Sequence, residues 1–120
     1  MPVTTKYIYI ASMDVEPDKE ALLNEVYDTE HIPALLKVPG VHSITRGVAE
    51  PFAMSMGGEE RQVAVGEEPK FSAIYEIDSP DVLVSDAWAA AVEAGRWPEH
   101  VRPYTSNRRQ VLRKITAPSS

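Results

Sequence analysis

The chain contains no cysteine, and it is short of cations and of long hydrophobic runs. Its 120 residues hold no Cys, two Trp, two Phe, three His, and 12 Lys plus Arg against 18 Asp plus Glu. Without cysteine there are no disulfides and no thiolate metal sites. The histidines, His31, His42 and His100, show neither an HxxxH nor an HExxH spacing, so no metal site is expected. A formal charge of −6 argues against a nucleic-acid partner, which calls for a basic patch. The one basic cluster, Arg108-Arg109 with Arg113 and Lys114, reads as the solvated edge of a strand. The apolar run from Tyr7 to Met13 is closed by Asp14. It is too short for a membrane span and carries no signal-cleavage pattern. No membrane partner and a cytoplasmic location are expected. No GxGxxG, Walker or nucleophile-elbow pattern occurs, and no cofactor is expected.

What is present fits one domain. A chain of this mass has a folded surface of roughly 6,500 Å², enough burial for a core without staples. Tyr7–Met13 and Phe71–Ile77 are mostly apolar and rich in β-formers, as strands covered on both faces are. Pro17, Asp18 and Glu20 mark a helix start. Leu22, Leu23, Val26 and Tyr27 continue it at helical spacing. Pro33 is expected to break that helix, because the residue before a proline is pushed out of the α region. A short second helix follows to Lys37. Residues 41–48 read as a strand, and Ser79-Pro80 and Ser85 as caps of a helix reaching Ala94 before Gly95. A final strand runs over 108–115.

The order βαββαβ predicts an α+β, ferredoxin-like fold with a four-stranded antiparallel sheet. The apolar first and third strands belong at its centre and the charged second and fourth at its edges. Helices cover one sheet face only. The first strand puts Tyr7, Tyr9, Ala11 and Met13 on one side and Ile8 and Ile10 on the other; the third puts Ile74 opposite Phe71, Ala73, Tyr75 and Ile77. Neither side is polar, so a second copy is expected on the uncovered face. The segment 50–69 is expected to be a long connection. It reads as a lid carrying Met54 and Met56, or as a hairpin arm over the partner, with strand character near Arg61–Val65 favouring the arm.

Tyr27-Asp-Thr-Glu-His-Ile-Pro-Ala-Leu-Leu36, Val38-Pro-Gly-Val41, Ala73-Ile-Tyr-Glu-Ile-Asp-Ser-Pro80 and Trp88 with its alanines together resemble the dimeric α/β-barrel superfamily, in particular its EthD-like branch. The resemblance runs over nearly the whole chain. It implies a homodimer joined through the sheets, and a histidine at His31 lining a cavity between helix and sheet. Relatives of this kind include lactone isomerases, cofactor-free monooxygenases, aldoxime dehydratases and haem-degrading or haem-binding proteins, so the resemblance speaks for the fold and leaves the reaction open.

The candidate chemistry centres on His31. Tyr27 and Asp28 lie four and three residues before it and can share its helical face. An acid beside an imidazole fixes its tautomer and raises its basicity, as suits proton transfer. The alternative is that His31 bonds a carbonyl freed by Pro33. His42 and Arg46, at even spacing on the second strand, are expected to point the same way, with Arg46 available to a carboxylate or phenolate or else solvated. Tyr75 is a possible donor to a bound oxygen, or an interface residue. Trp88, among alanines, is a ligand contact or a core anchor. Trp97, His100 and Tyr104 precede the last strand, where they close a pocket mouth or pack on a partner. The expected function is binding of a small aromatic or lactone-like compound, by an isomerase, lyase or oxygenase or by a non-catalytic dimer. Haem handling through His31 is a further possibility.

Overall fold

The two runs richest in β-formers lie side by side at the centre of the sheet. In the computed structural model, which describes residues 3–117, β1 (Tyr7–Val15) pairs antiparallel with β5 (Phe71–Ile77), with Tyr9 opposite Tyr75 and Ala11 opposite Ala73. β2 (Val41–Val48) flanks β5, and β6 (Thr105–Lys114) flanks β1. The order is β2-β5-β1-β6. This is the expected α+β ferredoxin-like sheet, with apolar strands inside and charged strands at the edges.

The segment between β2 and β5 is more ordered than a connecting loop. β3 (Phe52–Met56) and β4 (Glu59–Val63) form a separate two-stranded sheet. Gly57 and Gly58 turn the chain between them with φ of 64° and 81°, the positive values that a tight hairpin turn requires. Phe52, Met54 and Met56 share one face of this hairpin by register and are exposed.

Pro33 does not break the first helical segment. α1 (Glu20–Val26) runs into a π turn at Tyr27–His31 and on into α2 (Ile32–Leu36). Ile32, directly before the proline, keeps helical angles of −61° and −49°. The wider π turn gives the proline ring room against the carbonyl one turn back, which is where it clashes in a regular α-helix. Ser85 accepts the Trp88 N–H at 3.2 Å and caps α3 (Asp86–Ala91). α3 ends earlier than Ala94. A second π turn follows at Trp97–Val101.

Helices cover one face of the sheet. Against it pack Leu23, Val26, Leu35 and Val101 from the helical side and Met13, Phe71, Ala73, Tyr75 and Ile77 from the strands. The pairing register leaves Ile8, Ile10, Ile74 and Val111 on the other face, and Ile74 is 38% exposed. The accessible surface is 7675 Å², above the roughly 6,500 Å² of a compact monomer of this mass. The radius of gyration is 16.0 Å, against about 13.6 Å for a compact 120-residue domain. Among the described residues no helix is long and apolar enough to cross a membrane.

Candidate functional site

A cavity of about 320 Å³ lies between the helices and the sheet. Its sheet-side wall is Tyr9, Ala11, Met13 and Tyr75, and its helical wall includes Tyr27, His31, Trp88 and Trp97. Each wall follows from local sequence. Alternation along β1 and β5 points Tyr9 and Tyr75 the same way, and their rings lie 5.2 Å apart. The first π turn places Tyr27 at its start and His31 at its end. π turns of this kind recur at functional positions because the extra residue re-aims the side chains after it.

His31 is 5% exposed. Its ring stacks on Trp97 at 4.4 Å between centroids and meets the Tyr27 ring edge-on at 4.9 Å. Nδ1 is fully buried with no hydrogen-bond partner among the described residues. Buried polar atoms are nearly always paired, and the ring that carries this orphan also lines the cavity. Burial lowers the imidazole pKa to about 4, with the charges of Arg102 and Arg108 acting in the same direction. His31 is therefore neutral at pH 7 and in the form that accepts a proton.

Above the imidazole, Tyr27 and Tyr75 join hydroxyl to hydroxyl at 2.9 Å. One phenol of such a pair donates to the other, and the second keeps a free O–H for a third group. Burial raises the pKa of both, and of Tyr9, so all three are neutral donors. Trp88 meets Tyr9 and Tyr75 edge-on at 5.9 and 5.6 Å. Arg102, Glu93, Gln110 and Arg108 complete the lining.

The two π turns are tied together from outside the cavity. Glu30, beside His31, accepts the backbone N–H of Arg96 at 2.8 Å and its Nε–H at 2.6 Å. Gly95 makes this approach possible. It has φ of 69°, and a β-carbon there would lie 2.6 Å from Glu30 Oε1.

Of the residues singled out from sequence, His31, Tyr27, Tyr75 and Trp88 come together at the cavity, while Asp28, Arg46 and His42 do not. Asp28 faces away from the imidazole and pairs with Arg46 at 2.8 Å. The π turn adds a residue and spoils the regular spacing that puts Asp28 beside His31. Arg46 also bonds Asn24 Oδ1 at 2.7 Å and lies over the outer side of the Tyr27 ring, 5.0 Å from its centroid. Its charge is paired by Asp28, and Tyr27 stands between it and the cavity. His42 sits at a bulge between Val41 and Ser43, so it does not share the facing of Arg46. It pairs instead with Asp78 at 2.6 Å on the surface. Nor does His31 bond a carbonyl, since its segment stays helical. Tyr75 faces the helices and not the open side of the sheet.

Besides apolar and neutral wall residues such as Tyr9, Met13 and Gln110, spacing gave no place in the site to Trp97, Glu93, Arg102 and Arg108. Trp97 was legible as a large ring near a pocket mouth, and in the fold it is 3% exposed beneath His31. Nothing in residue spacing signalled the two arginines.

No family model and no curated relative matches the chain. Among solved structures, an EthD family protein from Bacillus halodurans superposes with a TM-score of 0.56 at 12% identity, covering 92% of this chain and 99% of that one. A dimeric ferredoxin-like protein of unknown function from Thermobifida fusca gives 0.54 at 16% identity, with coverage of 91% and 90%. The haem degrader MhuD from Mycobacterium tuberculosis, with two haems in its active site, gives 0.55 at 14% identity, with coverage of 92% and 96%. The fold of this chain is thus ferredoxin-like and EthD-like. At these identities the likeness extends to the fold alone.

Proposed function

We propose that the chain is a homodimer that binds a small aromatic or lactone-like molecule in the helix–sheet cavity of each subunit, with His31 transferring a proton. The observation that carries this reading is the buried, unpartnered imidazole on the wall of an aromatic cavity. At about 320 Å³ the cavity is at the small end of ligand sites, suited to one or two rings. A porphyrin needs more room than this, so the reading involves no haem.

In the reaction class favoured, His31 takes a proton from an acidic carbon of the ligand. The electron pair left behind delocalises onto the ligand's oxygen, which the free O–H of the Tyr27–Tyr75 pair stabilises. Returning the proton to another carbon gives an isomerase. Expelling a leaving group gives a lyase. Tyr27 acts in this scheme as half of the hydroxyl pair, and Trp88 as a wall.

Assembly is supported by the apolar uncovered sheet face, the surface excess and the elongated shape. Burying Ile8, Ile10, Ile74 and Val111 against a second sheet removes them from water. The hairpin β3–β4 reaches toward the partner with Phe52, Met54 and Met56. An isolated two-stranded hairpin is marginal in water, and contact with a partner stabilises it.

The chemistry is tested by solvent exchange. A five-membered unsaturated lactone is incubated with the protein in D2O, and deuterium entry at its acidic carbon is followed by NMR. The protein should accelerate exchange and His31→Ala should abolish the acceleration. Equal exchange with both proteins, alongside ligand-induced shifts of the His31 ring signals, would favour the non-catalytic binder. Light scattering tests assembly: a dimer is expected, and Ile74→Lys should give monomers.

A further inference from the structure

We infer that the cavity selects an anionic planar ligand, an aromatic carboxylate or its like, and that Arg108 is the residue that recognises the charge. This deepens the proposed small-molecule reading and rests on it.

The first observation is a break in the β1–β6 ladder. Ser12 pairs with Arg109, but the next pair is Asp14 with Ser106. One residue on β1, Met13, thus faces two on β6, Asn107 and Arg108. The extra residue is a β-bulge, a feature that re-aims a side chain beside a site. Asn107 carries the strain, with φ of 48°, the one positive value outside glycine among the described residues. Its side chain is held in place by Asp14 at 3.0 Å and by the Glu67 carbonyl at 2.8 Å. By strand alternation Arg108 shares the face of Gln110, which pairs with Ala11, and so lines the cavity side of β6 at the point where the regular ladder ends, while Arg109 lies on the opposite face, beside Glu68 at 3.1 Å.

The second observation is the charge balance at the cavity. Arg102 is bound by Glu93, at 3.2 Å through Nη1, and by the Val92 carbonyl at 2.9 Å. These two lining charges cancel. Arg108 has no hydrogen bond or ion pair among the described residues. One unpaired, solvent-exposed cation therefore lines the cavity of a chain whose net charge is −6. Its field reaches Tyr9, Tyr27 and His31, each of whose pKa values it lowers. The other polar groups of the lining are neutral phenols, a neutral imidazole and the Gln110 amide. The one carboxylate, Glu93, is neutralised by Arg102, and the aromatic walls accept a flat ring. Arg46, the arginine that spacing points to for this role, is already occupied by Asp28 and Asn24.

The test uses benzoate and its neutral isostere benzamide at fixed ionic strength. Trp88 and Trp97, the two tryptophans of the sequence, both line the cavity, so intrinsic fluorescence reports occupancy. Benzoate should bind at least tenfold more tightly than benzamide. Arg108→Gln should reduce that preference to within about twofold while leaving benzamide affinity unchanged, and Arg108→Lys should restore part of it. Arg109→Gln removes the same charge from the opposite face and should leave the preference intact. Equal binding of the two probes, or an equal loss in Arg109→Gln, overturns the assignment of Arg108 while leaving the cavity reading standing. Failure of both probes to bind overturns the cavity reading and this inference with it.

Discussion

Two regions of the molecule each bring a histidine and a tyrosine or carboxylate together, and they resolve their polar groups in opposite ways. Along β2, His42 meets Asp78, and Arg46 meets Asp28 and Asn24. Every charge there has a partner, and most of the groups touch water. Inside the cavity, His31 Nδ1 has no hydrogen-bond partner among the described residues, and the Tyr27–Tyr75 pair satisfies itself with one O–H to spare. An unmet polar group in a dry place costs stability. The contrast separates surface pairs, which complete themselves, from groups arranged for a visitor.

Several substitutions sharpen or break this contrast. The largest effect is expected at Trp97→Ala, which removes the ring under His31. The cost should be about 3–5 kcal/mol, seen as a lower midpoint in urea, and ligand binding should fail with it. Acid should affect the cavity next. An unfolded His31 takes its proton near the ordinary value of 6.5, while the folded one resists down to about 4. Its contribution is therefore complete above pH 6.5, falls as pH drops toward 4, and levels off below. The loss is on the order of 3 kcal/mol. Tyr27, Trp97, Arg102, Arg108 and Glu93 surround the ring. Asp14, Glu30 and Glu93, whose carboxyl pKa values are also lowered by their partners, lose stability in acid too. Urea titrations of the native protein and His31→Gln across this range isolate the histidine as their difference. A flat difference would place His31 in contact with solvent.

Tyr75→Phe comes third. It strands the Tyr27 hydroxyl and should cost about 1–3 kcal/mol, while the double change Tyr27→Phe with Tyr75→Phe should cost less than the sum of the singles. Thermal melts of the four proteins supply the cycle. The smallest effects belong to the outer region. His42→Ala and Arg46→Gln should each stay within about 1 kcal/mol and leave ligand affinity unchanged. A large loss of affinity in Arg46→Gln would return that residue to the site.

The sheet was legible in the sequence because its information is local. Two apolar runs and two charged ones sort themselves into centre and edge, and alternation along Tyr7–Met13 and Phe71–Ile77 names the residues on each face. His31 was marked by the family resemblance and Tyr27 by its helical spacing from it, whereas for Tyr75 and Trp88 the sequence offered a site role beside an interface or core role. What spacing could not show were the places where one residue is inserted. A π turn moved Asp28 away from His31 and carried the helix past Pro33. A bulge at His42 undid its alignment with Arg46. Each insertion resets a period of 3.6 or 2, and periodicity is the signal that sequence reading depends on. The hairpin β3–β4 was legible only in its second strand, near Arg61–Val65; the first, Phe52–Met56, is short and set between proline and glycine.

Gly95 shows how alignment at the cavity depends on clearance outside it. The missing side chain lets one carboxylate sit against the backbone of the next turn, and that contact fixes how far the two ring-bearing turns stand apart. The spacing between His31 and Trp97 is in this sense machined at a distance, by a position that touches neither ring. A side chain at Gly95 would meet both the strain of φ 69° and the Glu30 carboxylate, which would have to swing aside and give up its hold on Arg96. The gap of about one methyl group thus keeps the site in register.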